Sequence, residues 1–167
     1  MNVEKTLAKL FGLEGDNWLH HANPKSVYSR FPVLAMIAAS VWSRIWIGEY
    51  FLVPLALTFV WTFLNPHLFD RPASLESWAA RGVLGERIWK DRAEYEIPDG
   101  FPVKIQTLNA LNFVGMVPYL YGLYVLDFWM MVAGFSVAFL SKLWFFDRMV
   151  WLYEELRHLE EVREWTA

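Results

Sequence analysis

The stretch from residue 31 to residue 64 leaves the chain few ways to fold. It is apolar almost throughout, with charge only at Arg44 and Glu49. A helix needs about 20 apolar residues to cross a hydrocarbon core of about 30 Å, and this run is too long and too apolar for the core helix of a water-soluble domain. Gly48 lies in its middle, with Trp42, Trp46 and Tyr50 around it. Glycine tolerates the backbone of a tight reversal, so the pattern predicts two hydrophobic helices folded back on each other at Gly48-Glu49. Each arm is short for a span. The first gains length by starting near Val27, with Arg30 snorkelling outwards. The second stops before Pro66, which cannot continue a helix. Arms of this length either thin the bilayer locally or are covered by neighbouring helices.

Residues 108–146 repeat the plan, with the break at Asp127. At a constant offset Glu49 aligns with Asp127, Tyr50 with Phe128 and Thr58 with Ser136, so an acid opens the second helix of each hairpin. The competing reading is a buried soluble core. Composition opposes it: 56% of residues are hydrophobic and ten are Trp. Apolar residues also run all round these helices instead of forming one stripe, which fits lipid on the outside.

The chain divides accordingly into an interfacial segment (1–26), a first hairpin (27–64), a polar cap (65–107), a second hairpin (108–146) and a C-terminal helix (147–167). Val3, Leu7, Leu10 and Phe11 share one helical face, giving the first segment an amphipathic character suited to a membrane surface. It lacks the long apolar region and cleavage site of a signal peptide. In the cap, Ser74 is expected to open a short helix ended by Gly82, and a second short helix to run over 84–92. In the last segment Met149, Leu152, Leu156, Leu159 and Val162 form a stripe at helical spacing. Such a stripe is more often core than an interface.

Lys and Arg cluster before the first hairpin, in the cap and after the second hairpin, and only Arg44 lies near a hairpin turn. Excess basic residues mark the cytoplasmic side, which predicts four spans, both termini inside, and two turns outside, in the cell's inner membrane. Trp42, Trp46 and Trp129 would mark the outer interface, and Trp18, Trp61, Trp144 and Trp151 the inner one. Fifteen basic residues against eighteen acidic ones make nucleic acid an unlooked-for partner. Without Cys there is no disulfide, thiol nucleophile or thiolate metal site.

Three groups of residues invite a chemical reading. Arg44, Glu49 and Asp127 are the charges nearest membrane depth, and intramembrane charge is a functional candidate by default. All three sit at the hairpin turns, where Arg44 can reach the surface or pair with Glu49 and Asp127 can cap a helix. The histidines all lie outside the spans, so no cofactor held by His within the bilayer is expected, and no metal site. His20 and His21 diverge by about 100° on a helix, against the i and i+4 spacing of a metal pair. The third group lies at the inner face: His20, His21, Arg81, Glu86, Arg87, Asp147, Arg148 and Glu154. Gly82 and Gly85 between those cations suggest a cradle for a lipid phosphate, but the plainer reading is a helix–turn–helix cap. Asp147 and Arg148 are expected to pair with Arg87 and Glu86.

Several pieces carry a resemblance. They are His21-Ala22-Asn23-Pro24 with Ser26-Val27 and Arg30, Val41-Trp42-Ser43-Arg44, Leu64-Asn65-Pro66, Gly82-Val83-Leu84-Gly85-Glu86-Arg87, Lys142-Leu143-Trp144-Phe145, and Asp147-Arg148 through Glu154. In this order and spacing they resemble an uncharacterised family of small bacterial and archaeal integral membrane proteins, a domain of unknown function, over about residues 18–155. The resemblance implies four-helix membrane character and says nothing about activity.

The expectation is thus an all-α, polytopic membrane protein with a cytoplasmic helical cap. Its expected partners are membrane lipids and other membrane protein subunits. Small size and the lack of mid-membrane polar groups favour a non-catalytic accessory subunit of a larger assembly, photosynthetic and respiratory ones among the possible hosts. An enzyme or carrier acting on lipid head groups at the inner face is the alternative. A channel would have to line itself with Ser40, Ser43, Thr58, Thr62, Asn109, Asn112 and Ser136.

Overall fold

A computed structural model describes residues 17–166, and these are all-α, with no strand among them. The helices are α1 (Asn17–His21), α2 (Pro24–Arg30), α3 (Val33–Trp42), α4 (Arg44–Ile47), α5 (Leu52–Leu64), α6 (Trp78–Lys90), α7 (Phe101–Val125), α8 (Phe128–Leu156) and α9 (Glu160–Arg163). Short 3-10 turns cover Gly48–Phe51, Asn65–His67 and Glu164–Thr166. The amphipathic face expected at Val3, Leu7, Leu10 and Phe11 lies outside the described residues. Two helical stretches are long and apolar enough to cross a membrane, Pro24–His67 and Phe128–Leu156. The first has 44 residues, about twice what one span needs. Helix α7 has the length, 25 residues, but Lys104, Gln106, Thr107 and Asn109 dilute the apolarity of its first half.

Contacts divide the described chain into two compact units: an apolar one of residues 30–62 and 98–145, and a polar one of residues 17–29, 63–97 and 146–166.

In the apolar unit the first apolar run is interrupted at Gly48, whose φ of 54° lies in the left-handed region that favours glycine. The second is interrupted at Leu126 and Asp127. Helix α7 ends with Leu126 at φ 60°, Asp127 N–H bonds back to the Gly122 carbonyl at 2.9 Å, and the Asp127 carboxylate accepts from Met130 N–H at 2.9 Å to open α8. One acid thus begins the returning helix, satisfying a donor that the helix start would otherwise orphan. Helices α7 and α8 then lie against each other at backbone distance. A Cβ on Gly115 would strike Ala138, one on Gly122 would strike Met131, and one on Gly134 would strike Tyr119. In lipid, where apolar surface alone drives no association, such close approach is what holds helices together.

Tyr119 is fully buried between these helices and α3, and donates to the Leu34 carbonyl at 2.6 Å. Ala38 and Leu123 complete this core, with Ile37, Val41, Trp42 and Phe135 packed on it. The hydroxyls are used within their own helices. Ser40, Thr58, Thr62, Ser136 and Ser141 each donate to the carbonyl four residues back. Asn112 donates across to the Ala138 carbonyl at 2.8 Å. With Ser43 donating to the Ser40 carbonyl, six of the seven groups that a channel would need as lining are spent on backbone, Asn109 being the exception.

The cap departs from expectation. Residues 78–90 form one uninterrupted helix, α6, capped by Ser77, whose hydroxyl accepts from Ala80 N–H at 3.1 Å. Gly82 and Gly85 lie inside it and end nothing. They are small because α8 crosses there: a Cβ on Gly82 would meet the Phe146 ring, and one on Gly85 the Met149 backbone. Helix α7 likewise begins at Phe101, well before residue 108, because Gly100 at φ 72° and Pro102 in the first turn start a helix ahead of the apolar run. Trp18, expected at a lipid interface, is only 5% exposed within the polar unit.

Candidate functional site

The residues singled out for the inner face all belong to the polar unit, whose polar side chains gather in three groups, the first two of which hold them.

The first ties α1 and α2 to the turn after α5. Asn65 is fully buried. Its side-chain oxygen accepts from Ser26 Oγ at 2.8 Å and its amide donates to Ser29 Oγ at 2.7 Å. Ser29 Oγ donates in turn to the Ser26 carbonyl at 3.0 Å. Ser26 and Ser29 are one helical turn apart, so a single amide reaches both. Alongside, Asn23 donates to the Asp70 carbonyl at 2.9 Å, and His20 Nδ1 lies 3.0 Å from the Phe69 carbonyl. His21 is buried with its ring 6.5 Å from that of Trp18. His67 is exposed. Among the described residues no three His, Asp or Glu side chains are placed to hold a metal ion.

The second group lies where α6 crosses α8. Arg81 bridges two carboxylates, Glu76 and Glu154, the latter at 2.7 Å. Arg157 reaches Glu154 from one turn on, at 3.2 Å. Asp147 and Arg148 close on each other at 2.7 Å, and the Trp78 indole donates to Asp147 at 3.4 Å. The expected partners of Asp147 and Arg148 were Arg87 and Glu86. Asp147 and Arg148 instead meet each other, and the contact that reaches Asp147 from α6 comes from Trp78. Arg87 lies over the Trp165 ring, 3.9 Å from its centre, a cation–π contact. Glu86 is half-buried. The Arg81 and Glu154 side chains remain 28% and 31% exposed, so each such pair contributes on the order of 1 kcal/mol or less.

The third group is a groove of about 560 Å³ between residues 94–96 and the C-terminal turns. Leu156 and Leu159 floor it, and Glu94, Glu96, Glu160, Glu161, Glu164 and His158 rim it. Tyr95 stands in its wall against Trp165. Burial, and then the neighbouring carboxylates of Glu161, Glu94 and Asp91, push the Tyr95 phenol above its ordinary pKa, with Arg87 opposing.

The structure brings Arg81 to Glu154 and Asp147 to Arg148, and leaves His20 and His21 with the first group. The glycines that suggested a phosphate cradle are filled by Phe146 and Met149. The hairpin charges lie in the apolar unit. Arg44 donates to the Leu123 carbonyl at 2.8 Å and to that of Tyr124, at the end of α7, and not to Glu49. Cations are favoured at a helix C-terminus, where carbonyls lack partners. Glu49 is exposed at its turn. Sequence reasoning missed the Ser26–Asn65–Ser29 group. Its signal was a pair of serines three apart facing an amide in a Pro turn, which reads as turn chemistry until burial is known.

A family model described as a family of unknown function (DUF6653) matches residues 2–167. No curated protein and no solved structure matches the chain.

Proposed function

The chain belongs to the DUF6653 family of unknown function, and from that premise we propose that it is a four-span inner-membrane protein acting as a non-catalytic, stabilising subunit of a larger membrane assembly. One observation carries this reading: the distribution of charge and exposed apolar surface over the apolar unit. Its charged residues are Arg30, Arg44, Glu49, Asp99, Lys104, Asp127 and Lys142. None lies in the middle of a hairpin arm. Between them Leu57, Phe59, Val60, Phe113, Val114, Val117 and Leu140 are each more than half exposed. A water-soluble protein seldom shows contiguous apolar surface on this scale, whereas lipid requires it. Basic residues concentrated away from the two hairpin turns support turns outside and termini in the cytoplasm.

The choice of a subunit over an enzyme on lipid head groups rests on how the inner-face residues are used. Arg81, Glu154, Asp147 and Arg148 neutralise one another, Arg87 stacks on Trp165, and His20 faces a backbone carbonyl. Groups engaged in this way hold helices together and offer no free base or nucleophile.

The test is extraction of the chain from native membranes in mild detergent, followed by size separation. Stoichiometric co-migration with a large complex is the expected result, and that complex would identify the process served. Migration as a lone chain with bound lipid would overturn the subunit reading and turn attention to the inner face.

A further inference from the structure

Resting on the reading of the apolar unit as bilayer-embedded, we infer that its lipid-facing band is about 20 Å tall, so that the chain thins the surrounding membrane by about 10 Å relative to an ordinary hydrocarbon core.

Four helical arms give the same height. On α7 the exposed apolar face runs from Tyr124 back to Asn109, an exposed amide, which at 1.5 Å per residue is about 22 Å. On α8 it runs from Trp129 to the exposed Lys142, about 20 Å. Helix α5 has 13 residues and gives about 20 Å. The arm made by α3 and α4, from Val33 to Ile47, gives about 22 Å.

The hairpin-turn end of the band is fixed. At the two hairpin turns Trp46, Tyr50, Tyr124 and Trp129 are 74%, 77%, 76% and 76% exposed, the most exposed aromatic side chains described. Trp and Tyr so placed seek the headgroup layer. Exposed Glu49 and Asp127 at the same turns resist withdrawal into hydrocarbon. The turns stand level, since Arg44 of one hairpin reaches the Leu123 carbonyl of the other and the Trp42 and Phe128 rings meet edge-on at 5.9 Å. The band cannot lengthen by sliding, so the lipid must shorten. Its occupant is therefore acyl chain of less than ordinary length.

The full chain, reconstituted in vesicles of myristoleoyl, oleoyl or erucoyl phosphatidylcholine, tests this. Quenching of its native Trp by brominated lipid of each length measures which lipid collects around the protein. A several-fold preference for the shortest chain is expected. A preference for oleoyl or longer lipid overturns the inference. The absence of cysteine allows Glu49→Cys and Tyr124→Cys to report the turns separately. Both should react with a membrane-impermeant maleimide present inside and outside oleoyl vesicles. Protection of both, relieved by detergent, would mean that the turns stop inside the bilayer, and would also overturn it. Failure to enter any vesicle would instead strike the membrane reading beneath.

Discussion

At the scale of single residues, two charges of the apolar unit, Arg44 and Asp127, serve helix ends. Arg44 sits on two carbonyls at the end of α7 and Asp127 on an amide at the start of α8. Hydrogen bonds to a charged group contribute about 1.5–3 kcal/mol each, more where water is scarce. Arg44→Ala is therefore expected to lower stability by about 3 kcal/mol, the lower end of two such bonds. Arg44→Lys should recover only part, because an ammonium cannot fork across two carbonyls as a guanidinium does. Glu49→Ala, at an exposed position five residues on, should change stability by no more than about 0.5 kcal/mol. Thermal unfolding in detergent, followed by circular dichroism, ranks the three variants. Equal losses for Arg44→Ala and Glu49→Ala would show that the two side chains act together as an ion pair and not through the helix end.

At the scale of elements, glycine decides where helices meet. A glycine inside a helix is ordinarily improved by alanine, by about 1 kcal/mol. Gly85 reverses that sign, because its Cβ would enter the Met149 backbone, which cannot move without shifting α8. Gly82 faces the Phe146 ring, and a side chain can turn aside. Gly85→Ala is expected to cost about 1–3 kcal/mol net, and Gly82→Ala distinctly less, as read from the same thermal unfolding. A stabilised Gly85→Ala would mean that α6 does not lie on α8 as described. This pair also shows the limits of reading the sequence. The helix breaks at Gly48 and Asp127 were legible because length, apolarity and turn residues agree on them. The single helix α6 was not, since a glycine that ends a helix and one that admits a neighbour look alike until the neighbour is placed. The ion pairs were legible as residues and misread as partners: Arg81 selects Glu154 through the crossing of α6 and α8, and no spacing in the sequence encodes a crossing. Gly115, Gly122 and Gly134 carried a further signal, small residues repeated along two apolar helices, which points to close packing.

At the scale of the whole molecule, the proposed orientation rests on where the cations are. Of the fifteen Lys and Arg, nine lie in the described part of the polar unit: Lys25, Arg71, Arg81, Arg87, Lys90, Arg92, Arg148, Arg157 and Arg163. Arg44 alone lies near a hairpin turn, and its guanidinium is spent on α7. Basic residues within about 15–20 positions of a span's end set its orientation, whereas acidic ones contribute little, so the glutamates around the C-terminal groove do not offset them. A reporter fused after Ala167 should then stay in the cytoplasm, and one inserted after Glu49 should be exported. A fluorescent protein that folds only in the cytoplasm is expected to be bright in the first position and dark in the second. Alkaline phosphatase, active only after export, should give the opposite pattern. Moving the charge bias tests the cause as well as the outcome: lysines placed on both sides of Glu49 should raise the fraction of inverted molecules, and removing Lys25 and Arg30 should add to it. Phosphatase active after Ala167 in the unaltered chain would reverse the orientation and place the polar unit outside the cell, where a cytoplasmic partner is impossible.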